Sequence, residues 1–442
     1  MYNPLVRRRP QRTISSPHGP FTSSMTYPVW IFLAAAFLAG VVETEANRPA
    51  RAASQNPLEE LRIPPIEPPK PVAAVPTSKR TRLGSHYLML VNSAIANQMD
   101  APKMAQFARS PYDALAVSFA GAYDTSPVVS VAPMQAKIAS WKSSTTKDIW
   151  PWVYLNRMIG ANEAEGNADA KVPYFQRFWG LDLDGKAGAR NDFLKTWRNA
   201  LRLARETGVP GIVCDLEFYN NYKAYDVAEL AHMTLTPQQD VPNALRQLGA
   251  RMADIAATEY PGATLWFFFT GFTRPQYTVI EGQPYYLAAT YIAEGLLDQI
   301  LQHRLPLRVL SGGEVGLGYC HKSVEDLRQA IGKRAAAFAP LLQKYSGILE
   351  LAGTMTLWSD RAAKKNWVAH GVCGTSSAAT VEDLVPYMEI LFRSYRYNWL
   401  YGSPNGGYFA FQSASAPRFD TAIAAAKARA YGAADARPHL RD

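Results

Sequence analysis

The stretch Pro210-Gly211-Ile212-Val213-Cys214-Asp215-Leu216-Glu217 decides how this chain is read. It follows a helical pattern that stops at Gly208-Val209-Pro210, and its centre is apolar and β-branched, so 211–217 is predicted as a buried strand. Side chains two apart on a strand point the same way. Gly211, Val213, Asp215 and Glu217 therefore share one face, and Cys214 and Leu216 take the other. An almost continuously apolar strand suits a parallel sheet covered by helices. Two carboxylates at its end then stand side by side at the edge of that sheet.

Working outward, seven more runs of the same kind alternate with helical patterns: 86–92, 112–119, 149–156, 264–271, 307–311, 351–358 and 397–402. The helices between them carry clear punctuation. One starts near Asn191 or Asp192 and repeats apolar residues at Phe193, Trp197, Ala200, Leu201 and Ala204. Another sets Leu245, Leu248, Met252 and Ile255 on one stripe after Pro242. A third opens with Ser323 and Asp326 at capping spacing and predicts Leu327, Ile331 and Phe338 as its buried stripe. A fourth is expected from Thr380, with Leu384, Met388, Leu391 and Phe392 inward. Eight strand–helix units predict an α/β fold of the (β/α)8 TIM-barrel class over residues 83–442. The competing doubly wound sheet announces itself by a Gly-rich phosphate turn after the first strand, and 86–97 contains no Gly.

Composition bounds the function. The chain has 442 residues, 48% apolar and 19% charged, enough for a large core. Its net charge is +9, yet residues 1–82 hold eleven basic and five acidic side chains, so the remainder is close to neutral. A nucleic-acid surface would concentrate basic residues on the folded part, so no nucleic-acid partner is expected. Residues 29–42 form an apolar run preceded by Arg7, Arg8, Arg9 and Arg12. The run is shorter than the roughly 20 residues a membrane-spanning helix needs, so 1–52 reads as an export signal, cleaved after Ala46 or Ala52, or retained as a signal anchor. Export would place the protein in the periplasm, at the cell surface or outside the cell, and an anchor would be its one membrane contact. Residues 53–82 carry a series of prolines from Pro57 to Pro76 and read as a stiff spacer without secondary structure. Cys214 reads as a buried thiol, and Cys320 and Cys373 either pair or stay free.

In a barrel the chemistry lies at the carboxyl ends of the strands. Asp215 and Glu217 end the fourth strand, and pairing two acids raises the pKa of one while the other stays ionised, as acid catalysis at neutral pH requires. The competing reading is a pair locked to Arg or Lys from a loop. Glu314 follows the sixth strand, and Asp360 continues the parity of Thr354, Thr356 and Trp358 on the seventh. Acids around one rim suit glycosidic cleavage by a carboxylate pair. Asn156, Tyr154, Tyr219, Trp358, Trp399 and Tyr401 lie at the same rim, where a flat ring beside amides suits a sugar. For Trp358 and Trp399, sugar stacking and barrel filling stand as equal alternatives; Trp266 and Phe267–Phe269 read as filling.

These residues resemble the TIM-barrel glycoside hydrolases, and the local likeness is to chitinase-like family 18 enzymes, whose fourth strand ends in DGxDxDxE. Gly211, Asp215 and Glu217 match that motif, while Pro210 and Val213 stand at its first two acidic positions. Trp399 is placed like the family's eighth-strand Trp, and Ser311-Gly312-Gly313-Glu314 stands where the family has Met-x-Tyr-Asp. The resemblance implies Glu217 as general acid, Asp215 as the residue that orients or tunes it, and Asp360 or Glu314 as nucleophile or base. The expected partner is an oligo- or polysaccharide, with no cofactor and no metal, since HExxH, paired CxxC, Walker-type, GxSxG and dinucleotide spacings are missing. The alternatives are a non-catalytic glycan-binding barrel at the cell surface and a barrel lyase or metal-assisted hydrolase.

Overall fold

The computed structural model describes residues 86–91, 99–118, 131–154, 192–216, 227–228, 231, 237–268, 277–280, 283–286, 288–314, 316–318, 321–356, 381–401 and 416–432. The export segment and spacer expected over 1–82, and Cys320 and Cys373, lie outside the described residues.

Strand β1 (Tyr87–Val91) leads to α1 (Ala101–Arg109), β2 (Ala114–Ser118) to α2 (Val131–Lys142), and β3 (Asp148–Tyr154) to α3 (Asp192–Glu206). β4 (Gly211–Asp215) leads to α4 (Val241–Glu259), and β5 (Thr264–Phe267) to the β6 (Tyr277–Ile280) and β7 (Gln283–Tyr286) hairpin and then α5 (Ala288–His303). β8 (Arg308–Ser311), α6 (Val324–Lys344), β9 (Leu349–Thr356), α7 (Val385–Ser394), β10 (Tyr397–Tyr401) and α8 (Ala416–Tyr431) complete the chain. All strands but β6 and β7 pair in parallel and close on themselves in the order β1-β10-β9-β8-β5-β4-β3-β2. This is the expected (β/α)8 barrel. The antiparallel β6–β7 hairpin has no counterpart in the expectation, because it falls within one connection and its strands are only four residues long.

Local chemistry sets the element ends. The Ser323 side chain accepts from Asp326 N at 3.1 Å while Asp326 Oδ2 accepts from Lys322 N at 2.9 Å, which starts α6 where the spacing placed it. Gly208, at φ 70°, ends α3. The fourth expected helix starts later than Thr380: a 3-10 turn at Glu382–Leu384 precedes α7, with Pro386 in its first turn. β9 begins at Leu349, two residues before the expected run.

Parity along the strands divides the core. Leu88, Leu90, Leu115, Val117 and Ile149 pack outward beneath α1, α2, α7 and α8. Tyr87, Met89, Trp150, Trp152, Val213, Trp266, Tyr397 and Trp399 fill the interior, all buried. Branched aliphatics normally dominate this position; here rings do. Trp150 and Trp266 meet edge-on at 5.9 Å, Trp266 meets Tyr397 at 6.2 Å, and Phe268 stacks on Trp399 at 4.0 Å. Small residues make room for them: Ala114, Ala116, Gly211 and Ala352. A Cβ at Gly211 would overlap the Thr264 carbonyl of the neighbouring strand.

The amino-terminal end is closed by polar ties. Tyr87 donates to Asp148 Oδ2 at 2.8 Å and Trp150 Nε1 donates to Tyr87 Oη at 2.7 Å. Nearby, Lys427 of α8 donates to Asp113 Oδ2 at 3.0 Å, and Lys147 Nζ donates to the carbonyls of Phe107 and Ser110. Burial lowers the Lys147 pKa to about 8, although Asp113 opposes the shift.

Two outcomes follow from this packing. Gly211→Ala should lower stability by about 1–3 kcal/mol in denaturant unfolding, and an unchanged midpoint would contradict the close strand approach. Between pH 8 and pH 10.5 the unfolded chain holds the Lys147 proton more tightly than the native one. Wild-type stability should therefore gain on that of Lys147→Gln, by up to about 3 kcal/mol, as pH climbs through that window. A difference that does not vary with pH would count against the buried ammonium.

Candidate functional site

The two ends of the barrel are built differently. At the amino-terminal end the connections are short, such as 110–113, 207–210, 260–263 and 304–307. At the carboxyl end they are long: 155–191 after β3, 216–240 after β4 and 357–384 after β9. Loops of that length on one face are where a barrel carries binding and catalytic residues.

Beneath that face lies a floor of rings. Trp152, Phe268 and Trp399 form it with Val213, and Trp152 meets Phe268 edge-on at 5.6 Å. Asp215 stands one step above Val213 on the same face of β4, in register with Tyr154 of β3. Its side chain is 2% exposed. The predicted parity holds: Cys214 and Leu216 are packed in the apolar core around β4, and Cys214 is a buried free thiol. Burial pushes that thiol well above its ordinary pKa, and the neighbouring Asp215 charge adds to the effect.

Hydrogen bonds lace the rim from β4 to β10. Phe268 N donates to Cys214 O at 3.0 Å, and Gly312 N donates to Phe267 O at 2.6 Å. Trp399 Nε1 donates to Gly312 O at 2.7 Å. Past Gly312 the chain turns through Gly313 at φ 91°, a left-handed conformation that favours glycine. The Gly313 carbonyl accepts from Leu317 N and Gly318 N, both at 3.1 Å. Glu314 sits on this turn and is half-buried.

Among the predicted site residues, the structure therefore puts Asp215 and Glu314 at the same end of the barrel, on the laced rim. Trp399 is 1% exposed, has Phe268 against one face and spends its N–H on Gly312. It belongs to the barrel filling and holds the Glu314 turn. Trp266, read as filling, is fully buried, but Phe267, read the same way, has the opposite parity on β5 and packs outward on Trp197. Tyr401 is half-buried at the end of β10, its ring 6.5 Å from that of Trp399. Tyr154 is the last residue of β3. Glu217, Asp360, Asn156, Tyr219, Trp358 and Phe269 lie outside the described residues. His321, just after the turn, has a side chain 6% exposed, and burial lowers its pKa below the ordinary value. Among the described residues no group of three or more His, Cys, Asp or Glu side chains has an arrangement that would hold a metal ion.

One residue of this region escaped the sequence reading. Arg334 of α6 is 2% exposed and donates to the carbonyls of Ser311 and Ala352 at 2.9 and 2.7 Å. A signal was present: Leu327, Ile331, Arg334 and Phe338 fall on one helical stripe, so the arginine occupies a core position. Ile331, predicted as buried there, is only half-buried.

No family model matches the chain, and no curated protein matches it. Among solved structures the chain is similar to endo-glycoceramidase II from Rhodococcus sp., at 12% identity and a TM-score of 0.39, over 76% of this chain and 79% of that one. It is similar to a GH18 chitinase from Flavobacterium johnsoniae at 9% identity and a TM-score of 0.38, over 81% and 99%. Endonuclease IV from Thermus thermophilus is similar to the same degree, at 10% identity and a TM-score of 0.37, over 76% and 95%. Similarities this distant carry no argument about chemistry, which rests on the residues themselves.

The packing of β4 gives a direct check. Native Cys214 should react with iodoacetamide at least ~100-fold more slowly than in denaturant, read by peptide mapping. Rapid labelling of the native thiol would contradict the outward, buried placement that goes with an inward Asp215.

Proposed function

We propose that this protein is an exported carbohydrate-active hydrolase that cleaves glycosidic bonds with carboxylates at the carboxyl mouth of its barrel. The observation that carries the reading is Asp215: an acid at the end of β4, on the inward face, directly above a floor of rings. Sequence parity supports reading Glu217 with the same direction.

In this reading Glu217 is the general acid that protonates the leaving oxygen. Asp215 holds and tunes it: a buried carboxylate one step below opposes ionisation of Glu217 and keeps it protonated near neutral pH. Glu314 on the β8 turn or Asp360 after β9 supplies the nucleophile or base. Tyr154, Asn156, Tyr219, Trp358 and Tyr401 present rings and an amide to the sugar, over the floor that Trp399 completes. A saccharide matches such a surface because its C–H faces are apolar and its edges polar. The apolar segment at 29–42 and the proline-rich spacer support export, which is where such a polymer is met.

The test uses the full chain and a panel of polysaccharides and aryl glycosides, read by release of reducing sugar or aglycone. Glu217→Gln should cut turnover by about 10²–10⁴-fold while leaving the melting temperature unchanged. Asp215→Asn should shift the basic limb of the pH–rate profile to lower pH, because removing the neighbouring negative charge lowers the Glu217 pKa. Unchanged turnover in Glu217→Gln would remove the hydrolase reading. Binding of the same glycans with no product at any enzyme concentration would replace it with a non-catalytic glycan-binding barrel.

A further inference from the structure

Helix α6 fully buries three side chains, Leu327, Arg334 and Phe338, and the charged one is the problem. The Arg334 guanidinium donates through Nη1 to Ala352 O at 2.7 Å, and through Nη2 to Ser311 O at 2.9 Å and Ser311 Oγ at 3.2 Å. It lies over the rings of Phe338 and Tyr395 at 5.4 and 5.3 Å. Among the described residues no carboxylate comes within ion-pair distance of it, and its Nε has no hydrogen-bond partner. Burial works against its charge, with Tyr395 opposing. Taking an arginine out of water without a counter-charge is costly. A Met or Leu at this point of the stripe would pack the helix at no such cost. Stability alone does not account for an arginine here.

What the guanidinium touches supplies the account. Ser311 ends β8 and Ala352 lies in β9, so the planar fork clamps the two strands at the point where the chain leaves for the mouth. It also closes the space under the turn: a Cβ placed on Gly313 would stand 2.9 Å from Nη1. Trp399 holds the adjacent Gly312 carbonyl from the barrel axis. The turn that carries Glu314 is thus gripped on one side by a buried cation and on the other by a buried indole.

The geometry points to Arg334 as the positioning residue of the Glu314 turn, acting through the Ser311–Gly313 backbone to fix where the Glu314 carboxylate stands at the mouth. This rests on the reading that Glu314 works there as nucleophile or base. Arg334 itself touches no substrate. Its effect belongs on turnover and on the local opening of 312–318, since a small displacement of a reacting group is costly to rate and cheap to binding.

The experiment compares Arg334→Met, Arg334→Lys, Glu314→Gln and the Arg334→Met/Glu314→Gln pair in the full chain, using the substrate of the panel that is hydrolysed fastest. Arg334→Met should lower kcat by about 10–100-fold with KM within about twofold, and Arg334→Lys should recover part of the loss. The double variant should be no slower than Glu314→Gln alone, because both changes remove one unit. Amide hydrogen exchange should quicken at Leu317 and Gly318, which donate to Gly313 O, while the strand amides of β4 and β5 keep their protection. If Arg334→Met does not fold, Arg334→Lys carries the test, with an intermediate kcat and the same local exchange. Full kcat or unchanged exchange in the Arg334 variants, or losses that multiply in the double variant, would overturn the proposal. Full activity in Glu314→Gln would instead remove the underlying assignment of Glu314, an outcome read independently of Arg334.

Discussion

Closure of a parallel sheet is the constraint on which the rest of this molecule depends. Once the strands pair all the way round from β1 to β10, every second side chain is committed to a confined interior and every other one to the helices. The interior must then be filled without voids, and this chain fills it with tryptophan and tyrosine against alanine and glycine. Position 215 has no freedom within that scheme. With Val213 in the ring-filled layer and Cys214 turned to the helices, Asp215 must face the axis at the open end.

Among the described residues, Asp148 and Asp215 are buried acids at opposite ends of the barrel. Asp148 begins β3 at the end with short connections, and it accepts from Tyr87, which in turn accepts from Trp150. That chain of hydrogen bonds satisfies a buried carboxylate and ties strands together, a stability function. Asp215 sits at the far end of the neighbouring strand, at the same end as the rim held by Gly312 and Trp399. The same residue type thus stands at both ends of the barrel, tied by hydrogen bonds at one and proposed for chemistry at the other.

Much of the fold was legible because its signals are local. Apolar runs located all the barrel strands, the parity of Gly211, Val213 and Asp215 gave the correct face, and Ser323 with Asp326 marked the start of α6. What escaped depends on contacts between distant segments. Trp399 could not be sorted between sugar platform and filler from its position, since the deciding neighbours, Phe268 and Gly312, lie far away in the chain. Arg334 reads as solvent-facing when charge is taken as a surface signal, although its place on the Leu327–Phe338 stripe says otherwise. α7 starts later than Thr380, with Pro386 in its first turn, where the missing N–H costs no helical hydrogen bond. Of the candidate site, the β4 acid and the Glu314 turn are placed by the described residues; Glu217 and Asp360 stand on sequence parity.

The central question is whether Asp215 and Glu217 meet a sugar. A crystal structure of the Glu217→Gln chain soaked with an oligosaccharide from the panel addresses this directly. The account predicts a saccharide seated over the Trp152–Phe268–Trp399 floor, with residue 217 within about 3 Å of a glycosidic oxygen and Asp215 beneath it. A saccharide bound elsewhere, with Asp215 sealed under protein and paired to a cation, would contradict it.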